Sequence, residues 1–81
     1  MDKRDQVHVL EGVASRLHAR WMDAEEEVTR ARGVANSCEY DTPEYRAAYR
    51  EYQRVCAVAD GVSAAAAEVR AMIAETYGWT L

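Results

Sequence analysis

The sequence has no phenylalanine, a single lysine at Lys3, and no long uninterrupted run of apolar residues. Because a membrane-spanning helix needs about 20 consecutive apolar residues, the absence of such a run excludes a membrane span. The residues after Met1-Asp2-Lys3-Arg4-Asp5 also lack the apolar core of a secretion signal. We therefore expect a cytoplasmic protein without a membrane partner, and the strong preference for arginine over lysine indicates a small bacterial or phage protein.

Residue patterns typical of catalytic and metal sites are also missing. The two histidines, His8 and His18, are ten residues apart, which turns them to different sides of a helix and separates them by about 15 Å. They are therefore not expected to bind one metal ion within a chain. No nucleophilic side chain faces a base at a usable spacing. The sequence thus predicts a protein that is not an enzyme and that needs no metal or cofactor.

The two cysteines do not form a disulfide framework. Cys38 falls in the predicted turn, and Cys56 lies about four helical turns into the second helix, roughly 20 Å away. This separation excludes a bridge within the chain. We expect Cys56 to be a buried apolar residue and Cys38 an incidental surface residue, and a bridge between chains or a redox role for Cys38 stays open.

Apolar residues recur at alternating three- and four-residue steps in both halves of the chain. The first set is Val7, Leu10, Ala14, Leu17, Trp21, Ala24, Val28, Ala31 and Ala35, and the second is Tyr45, Ala48, Tyr52, Val55, Ala59, Val62, Ala66, Val69 and Ile73. This spacing is typical of a coiled-coil seam. Because two helices of similar length joined by a short connection must lie antiparallel, the sequence predicts an all-α, antiparallel two-helix coiled-coil hairpin.

The predicted hairpin is a single domain over residues 1–81, with helices at about 3–35 and 42–77, a turn at about 36–41 and a tail at 78–81. Asp2 is a candidate cap of the first helix, whose end is predicted at either Gly33 or Asn36. The segment Asp41-Thr42-Pro43-Glu44 combines a capping oxygen, a proline in the first turn and an acidic residue, and it marks the start of the second helix. Gly78 is expected to end that helix.

The apolar stripe of the second helix is too wide for one partner helix. Beyond the seam it adds Tyr49, Cys56 and Tyr77 on one flank and Val58, Ala65 and Met72 on the other. The first helix adds a weaker excess of Val13 and Val34, with Val9 and Met22 as further candidates. Monomeric proteins avoid exposing such strips, so we predict that two hairpins form a homodimeric four-helix bundle.

These flanks, together with aromatic residues at the two ends, are the candidate partner-binding residues. They are Tyr45, Tyr49, Tyr52, Val58, Met72 and Trp79. Trp79 is expected either to pack within the homodimer or to anchor a different protein. The function predicted from this pattern is that of a self-associating accessory or regulatory protein that acts by protein–protein contact, and a second protein partner stays open.

Arg46, Arg50 and Arg54 are spaced four residues apart and form a candidate basic patch along the second helix. A nucleic-acid-associated regulator that binds phosphates through this patch is the alternative function. The formal net charge of -4 opposes it, and glutamates surround the patch. We therefore expect a solvated face with ion pairs, and we do not expect nucleic acid as a partner.

Overall fold

A computed structural model of the chain describes residues 2–78 and contains two helices of 35 residues each, α1 (Lys3–Ser37) and α2 (Pro43–Tyr77). The helices pack against each other as an antiparallel hairpin that measures 57 × 19 × 14 Å. The prediction of an all-helical hairpin is confirmed. Over residues 2–78, neither helix has a stretch that is long and apolar enough to cross a membrane.

The start of α1 is capped by Asp2, whose Oδ1 accepts a hydrogen bond of 2.9 Å from the backbone N–H of Asp5. The helix then passes through both Gly33 and Asn36 and ends at Ser37, so it stops at neither of the positions predicted from the sequence. Gly33 does not adopt a positive φ. The apolar seam explains the extra length, because Ala35 is only 5% exposed and its packing holds the last turn in helical form.

The connection to α2 is tight. Asp41 adopts a positive φ of 62°, and its carboxylate pairs with the guanidinium of Arg46 at 3.2 Å. Thr42 caps α2, and Pro43 occupies the first turn, where its missing N–H leaves no hydrogen bond unmade. At the far end Gly78 adopts a φ of 79°, and its N–H donates to the carbonyl of Glu75 at 3.0 Å. This left-handed glycine ends the helix.

The core lies along the seam and, in the part of the chain that the structure describes, contains only small side chains. Its buried members are Val7, Ala24, Val28, Ala35, Val55, Ala59, Ala66 and Ala74. Tyr52, Ala31 and Cys56 pack half-buried against the central cluster of this core. All buried residues except Ala74 belong to the predicted seam, and the heptad spacing does not account for Ala74.

Larger seam residues are only partly covered. Leu10, Leu17, Trp21, Val62 and Ile73 are all half-buried, and no side chain among residues 2–78 is fully buried. Two helices touch along one line, so the seam stays open to water on both sides of the hairpin. The two open sides are the surfaces on which a partner would be received.

Candidate interaction faces

Two rows of α2 side chains flank the seam, one on each side. Residues seven apart lie on the same side of a helix, so the rows can be read from the sequence. One row is Glu51, Val58, Ala65 and Met72, and the other is Tyr49, Cys56, Ser63, Arg70 and Tyr77. Grooves between the helices show which α1 residues accompany each row.

The side that carries the first row is called the Met72 face. It comprises Gln6, Val9, Val13, Arg20, Glu27, Arg30 and Val34 of α1 and Glu51, Arg54, Val58, Gly61, Ala65, Met72 and Glu75 of α2. Apolar side chains on this face remain well exposed, with Val9 at 53%, Val58 at 48% and Met72 at 50%. At the open end of the hairpin one groove of about 380 Å³ has a mixed lining of Gln6, Val9, Leu10, Met72, Glu75 and Thr76.

The half of the Met72 face nearest the turn holds two acidic and two basic residues. Glu27 and Arg30 of α1 line a groove together with Glu51 and Arg54 of α2. The Arg54 guanidinium donates two hydrogen bonds, of 2.6 and 2.9 Å, to the Glu51 carboxylate. These bonds lower the pKa of Glu51, and the pKa of Arg54 is raised first by Glu51 and, more weakly, by Glu27. Two acidic and two basic groups therefore alternate at one level of the hairpin.

The middle of the Met72 face is shallow on the α2 side. Gly61 and Ala65 are four residues apart there, between Val58 and Met72. A Cβ placed on Gly61 would meet no atom within 4 Å. Gly61 therefore faces open space and has no packing role inside the hairpin.

The opposite side of the hairpin, called the His18 face, is more polar. Ser15, His18, Ser63 and Arg70 line an open groove of about 610 Å³ whose floor includes Trp21. The rings of His18 and Trp21 are tilted, with centroids 6.0 Å apart. Within residues 2–78 no hydrogen bond joins His18 to either serine. Sequence reasoning considered His18 only as a metal ligand together with His8 and missed this group, because Ser63 and Arg70 lie on the other helix.

The predicted tyrosines form a continuous run of rings at the turn end. Ring centroids are 5.2 Å apart for Tyr40 and Tyr45, 6.0 Å for Tyr45 and Tyr49, and 6.1 Å for Tyr49 and Tyr52. Tyr52 packs against the core, whereas Tyr40 is 80% exposed. Tyr49 lies on the side opposite Val58 and Met72. The candidate partner-binding residues thus belong to two separate surfaces.

The candidate basic patch is partly neutralised by neighbouring carboxylates. Arg46 pairs with Asp41, and Arg54 pairs with Glu51. All three arginines, Arg46, Arg50 and Arg54, are exposed. This arrangement is the one expected of a solvated face with ion pairs, and it leaves Arg50 as the member of the patch without an ion pair in the described chain.

Both cysteines are free thiols and half-buried. The Cys38 thiol lies 3.3 Å from the carbonyl oxygen of Val34, to which it donates, and Cys56 packs against the core cluster. Across residues 2–78 no three His, Cys, Asp or Glu side chains lie close enough to hold a metal ion. Trp79, the remaining candidate partner-binding residue, lies outside the described residues.

Comparison of the chain with models of protein families, with curated proteins and with solved structures gives no match. Function must therefore be inferred from the chemistry of the two faces and of the turn end.

Proposed function

We propose that this chain is a non-enzymatic protein-interaction module that pairs with a second copy of itself through the Met72 face, so that two hairpins form a four-helix bundle. The observation that carries the proposal is the row of half-exposed apolar side chains on that face, including Val9, Val58 and Met72. Such a row loses its contact with water when a second hairpin covers it.

The composition of the core supports the need for a partner. Among residues 2–78 the buried side chains belong to valines and alanines only. A buried valine contributes at most about 1.5–3 kcal/mol, and an alanine contributes much less. An isolated chain of 81 residues with such a core is marginally stable. Covering the Met72 face would bury Leu10, a seam residue that lines the groove on that face and that a single hairpin leaves half-buried.

The dimensions of the hairpin also support pairing. A side of 57 × 19 Å covers about 1,000 Å² in projection, which leaves room for the ~800 Å² of accessible surface that each partner buries in a standard stable interface. The face carries two acidic and two basic groups near the turn, so it has no excess charge of one sign there to repel a second copy.

A matched pair of methionines tests the proposal. Met72 lies on the Met72 face and Met22 on the other side of the hairpin, one turn after His18, and each is 50% exposed. Sedimentation velocity over a range of protein concentrations should show a dimer for the natural chain. Met72→Glu should raise the dissociation constant at least tenfold, because it places a carboxylate in the apolar interface. Met22→Glu should leave the dissociation constant unchanged.

A monomer at all accessible concentrations would overturn the proposal, and so would equal effects of the two substitutions. Circular dichroism at each concentration separates loss of pairing from loss of folding, since a paired helix melts at a temperature that rises with concentration.

The proposed module is a small accessory or regulatory protein of a bacterium or phage that works in the cytoplasm. The excess of arginine over lysine supports the origin. Two free thiols fit a reducing compartment. In this proposal the run of tyrosines at the turn end stays available for a different protein, because it lies apart from Val58 and Met72.

A further inference from the structure

We propose that the groove on the His18 face binds a small organic anion that carries a planar apolar ring, such as an aromatic carboxylate. The groove lies on the side of the hairpin opposite the Met72 face, so this inference goes beyond the pairing of two copies and does not depend on it. It follows from the lining of the groove, in which hydrogen-bond donors surround an apolar floor.

The floor of the groove is formed by residues of the seam. Ala14 and Ala66 line it, and Ala66 is 8% exposed, so two small side chains leave a depression between the helices. Trp21 also lines the groove, and its half-buried indole offers a flat apolar surface. The volume of about 610 Å³ falls within the range of about 300–1,000 Å³ that is usual for small-molecule sites. The floor therefore suits a planar ring that lies against the indole.

Every polar side chain that lines the groove can donate a hydrogen bond, and none of them is a carboxylate. These side chains are Ser15, His18, Ser63 and Arg70. In the described part of the chain none of the four forms a hydrogen bond or an ion pair, and His18 makes only its ring contact with Trp21. The groove thus offers an unused set of donors, and a carboxylate is the acceptor that can take several of them at once.

Three carboxylates lie near the groove without lining it. They are Glu11, Glu25 and Asp60. Glu11 and Glu25 share the row of His18 and are seven residues from it in either direction, which is about 10 Å along the helix. Asp60 lies three residues before Ser63. The space enclosed by the lining therefore contains no acidic group that would repel an anion.

Arg70 supplies the permanent positive charge of the groove. His18 and Ser63 share the groove, so in antiparallel helices the seven-residue spacing brings Glu11 opposite Arg70. Within residues 2–78 Arg70 nevertheless forms no ion pair, in contrast to Arg54, which is paired with Glu51. Glu11 is therefore the residue that competes with a bound anion for the guanidinium, and its removal should favour the ligand.

Naphthoate is a suitable probe, because it joins a carboxylate to a planar apolar ring. Its binding is followed by the nuclear magnetic resonance signal of the Trp21 indole N–H, which is assigned by comparison with Trp79→Phe. We expect a saturable shift of this signal. Naphthamide, which keeps the ring and loses the charge, and acetate, which keeps the charge and loses the ring, should each bind at least tenfold more weakly. Equal affinities for naphthoate and naphthamide, or no saturable shift with naphthoate, would overturn the inference.

Two charge substitutions should act in opposite directions. Arg70→Gln should weaken naphthoate binding at least tenfold, because it removes the guanidinium that pairs with the carboxylate. Arg20→Gln is the matched control and should leave the affinity unchanged, since Arg20 is an exposed arginine on the Met72 face. Glu11→Gln should strengthen binding, because it removes the competing carboxylate. Equal losses in the two arginine variants, or unchanged or weaker binding in Glu11→Gln, would contradict the inference.

Filling the groove gives a test that keeps every charge. Ser63→Leu places a bulky side chain in the groove and should abolish the shift of the Trp21 signal, whereas Ala64→Leu adds the same side chain on the next residue, which does not line the groove, and should not. Equal binding by these two variants would show that naphthoate lies elsewhere. Sedimentation velocity with and without naphthoate should give the same dimer dissociation constant, so failure of the groove to bind would leave the proposed pairing intact.

Discussion

The Thr42 hydroxyl accepts a hydrogen bond of 3.1 Å from the backbone N–H of Tyr45 and donates one of 2.7 Å to the carbonyl of Glu39. The Thr42 side chain thereby supplies a hydrogen-bond acceptor to the first turn of α2 and a donor to the end of the connection. The bond to Tyr45 also fixes the position of the first tyrosine of α2. The geometry of the turn and the position of the aromatic end thus depend on the same residue.

Thr42→Ala should lower the free energy of unfolding by about 1 kcal/mol, because the N–H of Tyr45 loses its capping acceptor. Thr29→Ala is the matched control, since the Thr29 hydroxyl bonds only to the carbonyl of Glu25 within α1. Alanine in the middle of a helix is neutral or slightly stabilising. Urea unfolding of both variants at one protein concentration makes the comparison, and equal losses would show that Thr42 is not an effective cap.

Two glycines should respond to alanine in opposite directions. Gly78→Ala should cost about 1 kcal/mol, because Gly78 has a φ of 79° and a Cβ is strained in that conformation. Gly33→Ala should stabilise the chain by up to about 1 kcal/mol, because Gly33 is exposed inside α1 and nothing lies within 4 Å of the added Cβ. Thermal unfolding followed by circular dichroism measures both. A loss at Gly33 would indicate that this position is covered by a partner.

Val55 and Val58 provide a matched pair one helical turn apart. Val55 is 4% exposed and Val58 is 48% exposed. Val55→Ala should cost about 2 kcal/mol at every protein concentration, because it leaves a cavity in the core cluster. Val58→Ala should cost little in dilute solution and progressively more as the concentration rises, because Val58 becomes covered only in the dimer. A cost at Val58 that does not change with concentration would argue against its place in an interface.

The seven-residue spacing of apolar residues predicted the hairpin because that spacing alone brings one side of each helix to the seam. It did not predict the end of α1, since Gly33 and Asn36 stop a helix only where tertiary packing does not oppose them. Two further features were not predicted. One is the position along the hairpin at which Glu27 lies opposite Arg54, and the other is the grouping of His18, Ser63 and Arg70. Both depend on the axial offset between the two helices, which the spacing of apolar residues within each helix does not specify.

The Glu51 carboxyl should titrate below the ordinary glutamate pKa, because the Arg54 guanidinium hydrogen-bonds to its charged form. Carbon-detected nuclear magnetic resonance of the side-chain carboxyl measures this pKa, and Arg54→Gln should move it upward. A pKa that is lower in the folded chain makes the pair stabilising above the unfolded value of about 4.3, and this contribution disappears as the pH falls through the folded pKa. The contribution is small because both side chains are exposed. No upward shift in Arg54→Gln would show that the pair is absent in solution.

Duplex DNA should not bind the chain appreciably at physiological salt. Arg46 and Arg54 are paired with Asp41 and Glu51, and the net charge of -4 repels a polyanion. Fluorescence anisotropy of a labelled duplex over a salt series checks this. If the three arginines of the patch each bound a phosphate, the logarithm of the affinity would fall with the logarithm of salt concentration with a slope of about 3 in magnitude. A slope of that size, lost when Arg46, Arg50 and Arg54 are all changed to Gln, would favour a nucleic-acid-associated regulator over a self-pairing module.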